Sequence, residues 1–352
     1  MFDLIGIGNA IVDTDVEIDD VFLQDESLPK GQMTLIDSSR MAELVDHLGS
    51  RTMRRCSGGS AANTIYAAQA FGLTTSYVCQ LADDENGRHF FQEMQDAGIV
   101  TSQISALEEK RRSGQCLVLV TPDAQRTMCT DLGVSKDVGL ELVNESDLRG
   151  ARCLYIEGYL SSSEQSSQTA AQSAAIARAG GTQVALTLSD ISMIEFCRDG
   201  LSAMLGNGVD ILFCNVNEAL AWAKTDRLDV AIGELKDMAK ELYVTMGSDG
   251  AEVCTSKGRW QVNSEAVLPV DTNGAGDMFA GACLAARLKD ASATEAAGFA
   301  NRAAARVSTQ FGARLPNLAA YHHLSATALL LSLCRKSELT VNAHVLRVRG
   351  AA

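Results

Sequence analysis

The sequence predicts an α/β fold: a central, mostly parallel sheet with helices on both faces, joined by a small one-sided β sheet. Three observations carry this. Through the middle of the chain, short continuous apolar runs alternate with helical stretches, as strands buried on both faces do. The first third instead holds two excursions of alternating, half-polar pattern, near 13–36 and 101–132, as a sheet with one wet face would. Near the end, Val270-Asp271-Thr272-Asn273-Gly274-Ala275-Gly276-Asp277 sets bare backbone in front of an apolar helical run, Met278 to Leu288.

Taken in order, Phe2 to Gly8 reads as a buried strand ending in Gly8-Asn9, and Asp13 to Ile18 as a half-exposed strand with Gln32 to Ile36 as its partner. Ser38 to Leu48 reads as a helix capped by Ser38 or Ser39. Cys56 to Ser60 reads as a loop, and Ala61 to Phe71 as a helix stopped by Gly72. A strand, Tyr77 to Leu81, and a helix, Asn86 to Ala97, follow. Gln115 to Val120 and Arg126 to Thr130 flank Thr121-Pro122-Asp123-Ala124-Gln125 as a hairpin. Strands Cys153–Ile156, Gln183–Thr187, Val209–Cys214 and Leu242–Thr245 then alternate with helices near Gln165–Ala179, Ser192–Leu205 and Asn217–Lys224. The expected division is an α/β core of 1–12, 37–100 and 133–316, a β lid of 13–36 and 101–132, and an extension over 317–352. That extension is apolar from Leu324 to Cys334, then basic, and the sequence gives no account of its role.

At 352 residues, 46% of them hydrophobic, the chain can bury a sizeable core. A formal charge of −14 argues against nucleic acid or an anionic membrane as partner, though not against a nucleotide, which needs only local positive potential. Ten cysteines without a C-x-x-C pair read as reduced thiols of a cytoplasmic protein. Asp3 and the absence of a basic start speak against a signal peptide, and no apolar run approaches the roughly 20 residues of a membrane span.

The familiar nucleotide fingerprints are missing. No Gly-Lys dipeptide occurs, so a Walker loop is excluded. Gly6-x-Gly8 is followed by Ile11 and Gly274-x-Gly276 by Phe279, which breaks the dinucleotide pattern. The glycine-rich turn at 274–276 nevertheless opens a helix, whose unsatisfied N–H groups and partial positive charge attract an anion, most often a phosphate. Asp277 would repel that phosphate unless the chemistry needs a proton acceptor; the plainer alternative is a carboxylate that favours the helix dipole. Gly58-Gly59-Ser60-Ala61-Ala62-Asn63 suits the hydroxyls of a small polar ligand, or else close helix packing. Asn9 and Asp13 follow the first strand, where open α/β sheets bind ligands, or are turn residues. Asn215-Val216-Asn217-Glu218 could orient a hydrated Mg²⁺, or cap a helix.

Together these stretches resemble the ribokinase-like (PfkB) family of carbohydrate and nucleoside kinases over roughly residues 2–315. Gly58-Gly59-x-x-x-Asn63 is similar to the family's first signature and Asp271-Thr272-x-Gly274-Ala275-Gly276-Asp277 to its second. Asn215-x-x-Glu218 resembles its N-x-x-E motif, Thr245-Met246-Gly247-Ser248-Asp249-Gly250 its T-x-G-x-x-G, and Phe299-Ala300-Asn301 the head of its adenine-bordering helix. Gly8-Asn9-x-x-x-Asp13, and Gln115 to Gly133 with Arg126, look most like adenosine kinases. Ser60 stands where ribokinases usually carry lysine.

The resemblance implies an ATP- and Mg²⁺-dependent phosphotransferase acting on a primary hydroxyl. In it Asp277 is the base, and the N–H groups of Gly274, Ala275 and Gly276 hold the transferring phosphoryl group. Asn9, Asp13, Gly58, Gly59 and Asn63 bind the hydroxyls, with Glu157 as a further contact. Arg126 reaches the phosphates from the lid, which would also exclude water. Asn215 and Glu218 act through Mg²⁺ and its waters, Thr245, Gly247, Gly250 and Asn301 border the nucleotide, and Asp271 with the Asn273 carbonyl match a K⁺ position. Phosphoryl transfer has a loose transition state, so positioning and charge stabilisation suffice. The expected reaction is adenosine plus ATP giving AMP plus ADP. The rivals are a kinase for ribose, fructose or a related sugar, a non-catalytic nucleotide- or sugar-binding regulator, and a dinucleotide oxidoreductase. Partners would be a small nucleoside or sugar, with no nucleic acid or membrane, and a monomer or homodimer. The segment after Pro316 departs from the family pattern, as do Arg302 and Arg306 in a stretch often rich in alanine.

Overall fold

Leu4 to Ile7 is apolar at every position and buried at every position, as befits an interior strand of the larger sheet. The computed structural model describes residues 1–104, 111–123 and 125–326. Its main unit runs Met1–Arg314 and a second begins at Leu315. The strands, in chain order, are β1 (Leu4–Ile7), β2 (Ile11–Glu17), β3 (Met33–Leu35), β4 (Met53–Gly58), β5 (Thr75–Val78), β6 (Val100–Thr101) and β7 (Gly114–Val120). They continue with β8 (Arg126–Asp131), β9 (Cys153–Glu157), β10 (Gln183–Thr187), β11 (Val209–Asn215), β12 (Ala239–Thr245), β13 (Ala251–Thr255) and β14 (Gly258–Val262).

The larger sheet has the order β14-β13-β12-β11-β10-β9-β1-β5-β6, parallel except for the β12-β13-β14 meander. Helices cover this sheet, as the resemblance to the ribokinase-like family implies. On one side, the long helix Glu164–Gly180 buries Ala170, Ala174 and Ala177 against Leu154, Ile156 and Val184. Helices Ser60–Ala70, Ala275–Arg287 and Ala293–Val307 pack on one another, and their alanine-rich faces allow close approach. Among the described residues no helix is long and apolar enough to cross a membrane.

The smaller sheet has the order β3-β8-β7-β2-β4. Its faces differ, as period-2 alternation requires. Val16, Leu117, Leu119 and Cys129 pack under helix Ser38–Leu48 with Met41, Leu44 and Leu48, while Ile11, Cys116 and Val118 form a separate cluster on the other face.

Several expectations need correction. The strand within Gln32–Ile36 pairs not with β2 but with β8, at the opposite edge of the sheet, because β4 and β7 occupy both sides of β2. Cys56 to Gly58, read as loop, ends strand β4, whose Arg54 and Arg55 are exposed on an edge. Charged residues on an edge strand hide its pattern while protecting the edge. The helix over Ser192–Leu205 is two helices, Ile191–Phe196 and Arg198–Leu205, meeting at Cys197. Phe299-Ala300-Asn301 lies in the middle of helix Ala293–Val307, not at its head. The short helix Asp20–Asp25 and the strands β13 and β14 carried no reading. Ala124 of the expected hairpin turn, residues 105–110 of the expected lid and residues 327–352 of the expected extension lie outside the described residues. In the second unit, residues 318–326 are helical, with the Leu315 N–H donating to Tyr321 Oη at 3.1 Å.

Candidate active site

A cavity of about 390 Å³ lies at the carboxyl ends of β1, β9, β10, β11 and β12, with the smaller sheet as its other wall. The chain leaves β1 toward β5 on one side, and β9 takes the other side. Ligands of open α/β sheets bind at such a change of direction.

Helix Ala275–Arg287 begins at this cavity. Gly274 is its N-cap in the left-handed region at φ +72°, and a Cβ there would lie 2.3 Å from the Ala313 Cβ, so only glycine fits. No side chain caps this end. The Ala275 N–H turns back to the Thr272 carbonyl at 3.2 Å, and Ala275 does not line the cavity, whereas Gly274 and Gly276 do. At Gly276 a Cβ would meet nothing within 4 Å, which leaves open space before an uncapped helix end. That cradle fits a phosphate group.

Asp277 is held from a second helix, Ser60–Ala70. Ser60 Oγ donates to its Oδ1 at 2.7 Å and Asn63 Nδ2 to its Oδ2 at 3.2 Å. Burial pushes the Asp277 carboxyl up to about 6, opposed by these two hydrogen bonds and by the charge of Arg314. A carboxylate so placed is a stronger base than one in water.

The hydroxyl-binding residues expected from the sequence converge on the same cavity. Asp13 on β2 is pushed up to about 7, first by burial and next by Asp15, with Arg314 and Arg126 opposing. Asn9 is 5% exposed, and its Oδ1 has no hydrogen-bond partner among the described residues. An unpaired buried carbonyl that lines a cavity marks a place for a ligand donor. Gly59 (φ +98°) allows the chain to pass the Asn9 carbonyl, which a Cβ would meet at 2.4 Å. Gly58 gives room to Asp13. Glu157 lines the cavity too. Both of its oxygens accept main-chain N–H groups, from Asn9 at 2.5 Å and Ala61 at 2.7 Å. It thus joins the loop after β1 to the start of helix Ser60–Ala70, and burial pushes it up to about 8.

Arg126 on β8 pairs with Asp271 at 2.8 Å and approaches Asp15 at 3.6 Å, and it does not line the cavity. Asp271 also accepts N–H groups from Asn273 and Gly312. Asp271, one of the two positions expected for K⁺, is thus engaged by Arg126 and by these main-chain N–H groups.

On the nucleotide side, Asn215 and Glu218 line the cavity and form a capping box on helix Val216–Ala223. Glu218 is pushed up to about 7, by burial and then by Asp190, which follows β10. Among the described residues no cluster of three or more His, Cys, Asp or Glu could hold a metal by itself. Asp190 and Glu218 together suit Mg²⁺, which keeps waters and phosphate oxygens as ligands. Thr245 lines the cavity; Gly247, Gly250 and Asn301 do not. The two glycines shape the turn between β12 and β13, and Asn301 Nδ2 donates to the Val262 carbonyl at 2.7 Å.

Sequence reasoning missed Asp190 and Arg314, and it could not place apolar lid residues such as Met33 and Leu35, which line the cavity. Asp190 follows its strand much as Asn215 follows the next, so the strand-end rule could have found it. Nothing near Arg314 in the sequence points to the site.

Comparison with known proteins adds an independent line. Residues 28–320 match the family described as pfkB family carbohydrate kinase. An ATP-dependent ribose-1-phosphate kinase of Halopiger xanaduensis is 30% identical over 275 residues, 78% of this chain and 88% of that protein. Two solved structures each cover 94% of this chain and 99% of their own. One is a probable sugar kinase of Rhizobium etli, with a TM-score of 0.85 and 31% identity. The other is an adenosine kinase of Sinorhizobium meliloti, with a TM-score of 0.84 and 32% identity.

Proposed function

We propose that this chain, which belongs to the pfkB family of carbohydrate kinases and is thus an ATP-dependent phosphotransferase of the nucleoside and sugar kinase kind, acts on the primary hydroxyl of a nucleoside, with adenosine as the acceptor. One observation carries the choice. The cavity combines Asn9, Asp13 and Asn63, suited to ribose hydroxyls, with an apolar wall from the smaller sheet that includes Met33, Leu35, Cys116 and Met128. An apolar wall beside a polar floor fits a flat base on a sugar better than a bare sugar. Among the described residues no lysine, arginine or histidine lines the cavity, while five carboxylates do, Asp13, Glu157, Asp190, Glu218 and Asp277. A phosphorylated acceptor such as ribose 1-phosphate would meet carboxylates rather than a cation among these described lining residues.

In the proposed reaction the acceptor oxygen attacks the γ-phosphorus of ATP. Its proton passes to Asp277, the bond from phosphorus to the β,γ-bridging oxygen breaks, and ADP leaves with that electron pair. Ser60 and Asn63 hold Asp277 in place, and the open N-terminus at Gly274 and Gly276 stabilises charge on the phosphoryl group. Asp190, Asn215 and Glu218 would hold Mg²⁺ through its waters, and the ion would supply neutralisation of the polyphosphate. The pair Arg126–Asp271 ties the smaller sheet to the anion turn, and this connection helps keep water out.

The test is ADP release measured across adenosine, other nucleosides, ribose, fructose and ribose 1-phosphate. Adenosine is expected to give the highest kcat/KM. Turnover of sugars alone would remove the nucleoside reading and leave the sugar kinase in its place.

A further inference from the structure

Arg314 lies beyond the last core helix, far in sequence from every motif of the site, yet its side chain is only 12% exposed and points into the site's support. Its Nε donates to Asn63 Oδ1 at 3.0 Å, and the Asn63 amide donates in turn to Asp277. Its Nη1 reaches Ser57 Oγ at 2.8 Å and Glu93 Oε1 at 2.9 Å, and its guanidinium lies 4.3 Å from the centre of the Tyr66 ring. Glu93 also accepts the Ser57 N–H at 2.8 Å. The planar fork is therefore fixed on three sides, as a lysine ammonium would not be.

We infer that Arg314 is a positioning residue: by accepting no choice but one orientation of the Asn63 amide, it aims the Asp277 carboxylate at the acceptor hydroxyl. A donor on Asn63 Oδ1 forces Nδ2 toward Asp277, since the two ends of the amide cannot exchange roles. Arg314 does not line the cavity, so it acts through Asn63. A second effect follows from charge. Glu93 is the carboxylate in contact with Arg314, while Nη2 is buried without a partner among the described residues, and the cation opposes the upward shift of both Asp277 and Asp13. The other titratable or charged groups that face this space are Asp13 and Asp15 on β2, Cys56 on β4, Tyr77 on β5, Arg126 on β8, Tyr155 and Glu157 on β9, and Tyr159. His89 lies behind, 3.4 Å from Glu93.

The inference rests on the reading of Asp277 as the base, and two measurements separate them. The first is ¹³C-carboxyl NMR of the full chain, with the Asp277 signal identified by its loss in Asp277→Asn. In Arg314→Gln the titration midpoint of Asp277 is expected to rise by about half a unit. In Arg314→Lys, which keeps the charge, it should stay within about 0.3 units of wild type. The second is kcat with the acceptor that wild type uses best. Misalignment should lower kcat by about tenfold or more in Arg314→Gln and by about fivefold in Arg314→Lys, with KM for ATP within about threefold. An unchanged midpoint in Arg314→Gln, or an unchanged kcat in Arg314→Lys, overturns the inference. Should Arg314→Gln not fold, Arg314→Lys decides by kcat alone. Full activity in Asp277→Asn would instead overturn the base assignment and leave the NMR coupling standing.

Discussion

Two helices present their N-termini to the same cavity, and both carry an acid at the third helical position. In helix Val216–Ala223 that acid, Glu218, turns back: it accepts the Asn215 N–H at 3.1 Å while Asn215 accepts the Glu218 N–H at 2.9 Å. In helix Ala275–Arg287 the N-cap is Gly274, which has no side chain to cap with, and Asp277 turns away to Ser60 and Asn63. One end is closed by its own residues. The other is left open and its acid is held by a neighbour. The difference teaches that a helix end is left open to an anion by withholding a cap as much as by adding glycines.

The comparison is broken most directly at the two acids. Asp277→Asn keeps the shape but turns one acceptor into a donor and cannot accept a proton, and should lower kcat by about 10²–10⁴-fold. Glu218→Gln should fall well short of that, about tenfold, with the loss relieved by raised Mg²⁺. Equal losses in steady-state ADP release would mean that the open and closed ends do the same work.

Next in size is a test of the cradle. Gly276→Ala places a methyl group where nothing lies within 4 Å, so the fold should be unaffected, while kcat/KM for ATP falls by about tenfold or more as the phosphate space is filled. Gly274→Ala forces a Cβ into Ala313 at positive φ and should cost about 1–3 kcal/mol of stability. Thermal melts with and without ATP separate the two. A Gly276→Ala enzyme with unchanged KM would show that the open end is not where the phosphate binds.

A smaller effect comes from pH. In the proposed reaction Asp277 accepts the proton when ionised, and burial raises it to about 6, so kcat/KM should fall with unit slope below about pH 6 and level off above it. Stability has the opposite sign. Asp13, Glu157, Glu218 and Asp277 all sit above their ordinary values, so the folded chain binds more protons than the unfolded one from about pH 4 to about pH 8. Urea midpoints should therefore decline as pH rises through that interval. Glu157→Gln should flatten the decline, because its share is lost as pH climbs toward about 8.

How much of this was legible differs between the two helix ends for a physical reason. The glycines at 274 and 276 and the pair Asn215–Glu218 are local patterns, and local patterns survive in sequence. What each acid touches is not local. Asp277 meets Ser60 and Asn63 across more than two hundred residues, so the sequence indicated a carboxylate at a helix start but not its partners. For Asn215 and Glu218 the cap and the metal reading stood level, and the structure shows the cap while both residues still line the cavity. The parallel strands were readable because both faces are apolar. Strand β4 was not, since an exposed edge lets Arg54 and Arg55 stand where a core strand would carry valine. The apolar wall was out of reach too: Met33 and Leu35 lie beside Met128 only because β3 docks on β8.

The smallest effect sharpens the comparison from the closed side. Asn215→Ala removes a side-chain acceptor from the Glu218 N–H and should cost about 1 kcal/mol, the usual loss for an N-cap asparagine. In a chain of this length that lowers Tm by only about 2 °C. The same substitution frees the Glu218 carboxylate from Asn215 Nδ2, which donates to it at 2.5 Å, so Glu218 can turn toward the cavity. If the capping box merely closes the helix, kcat should change by less than about threefold at saturating Mg²⁺. If Asn215 instead aims Glu218 at the waters of the ion, the Mg²⁺ concentration for half-maximal rate should rise while the Tm shift stays the same. A loss of kcat as large as that of Asp277→Asn would contradict both outcomes, because a helix end that its own residues already satisfy has little positive field left for a phosphate.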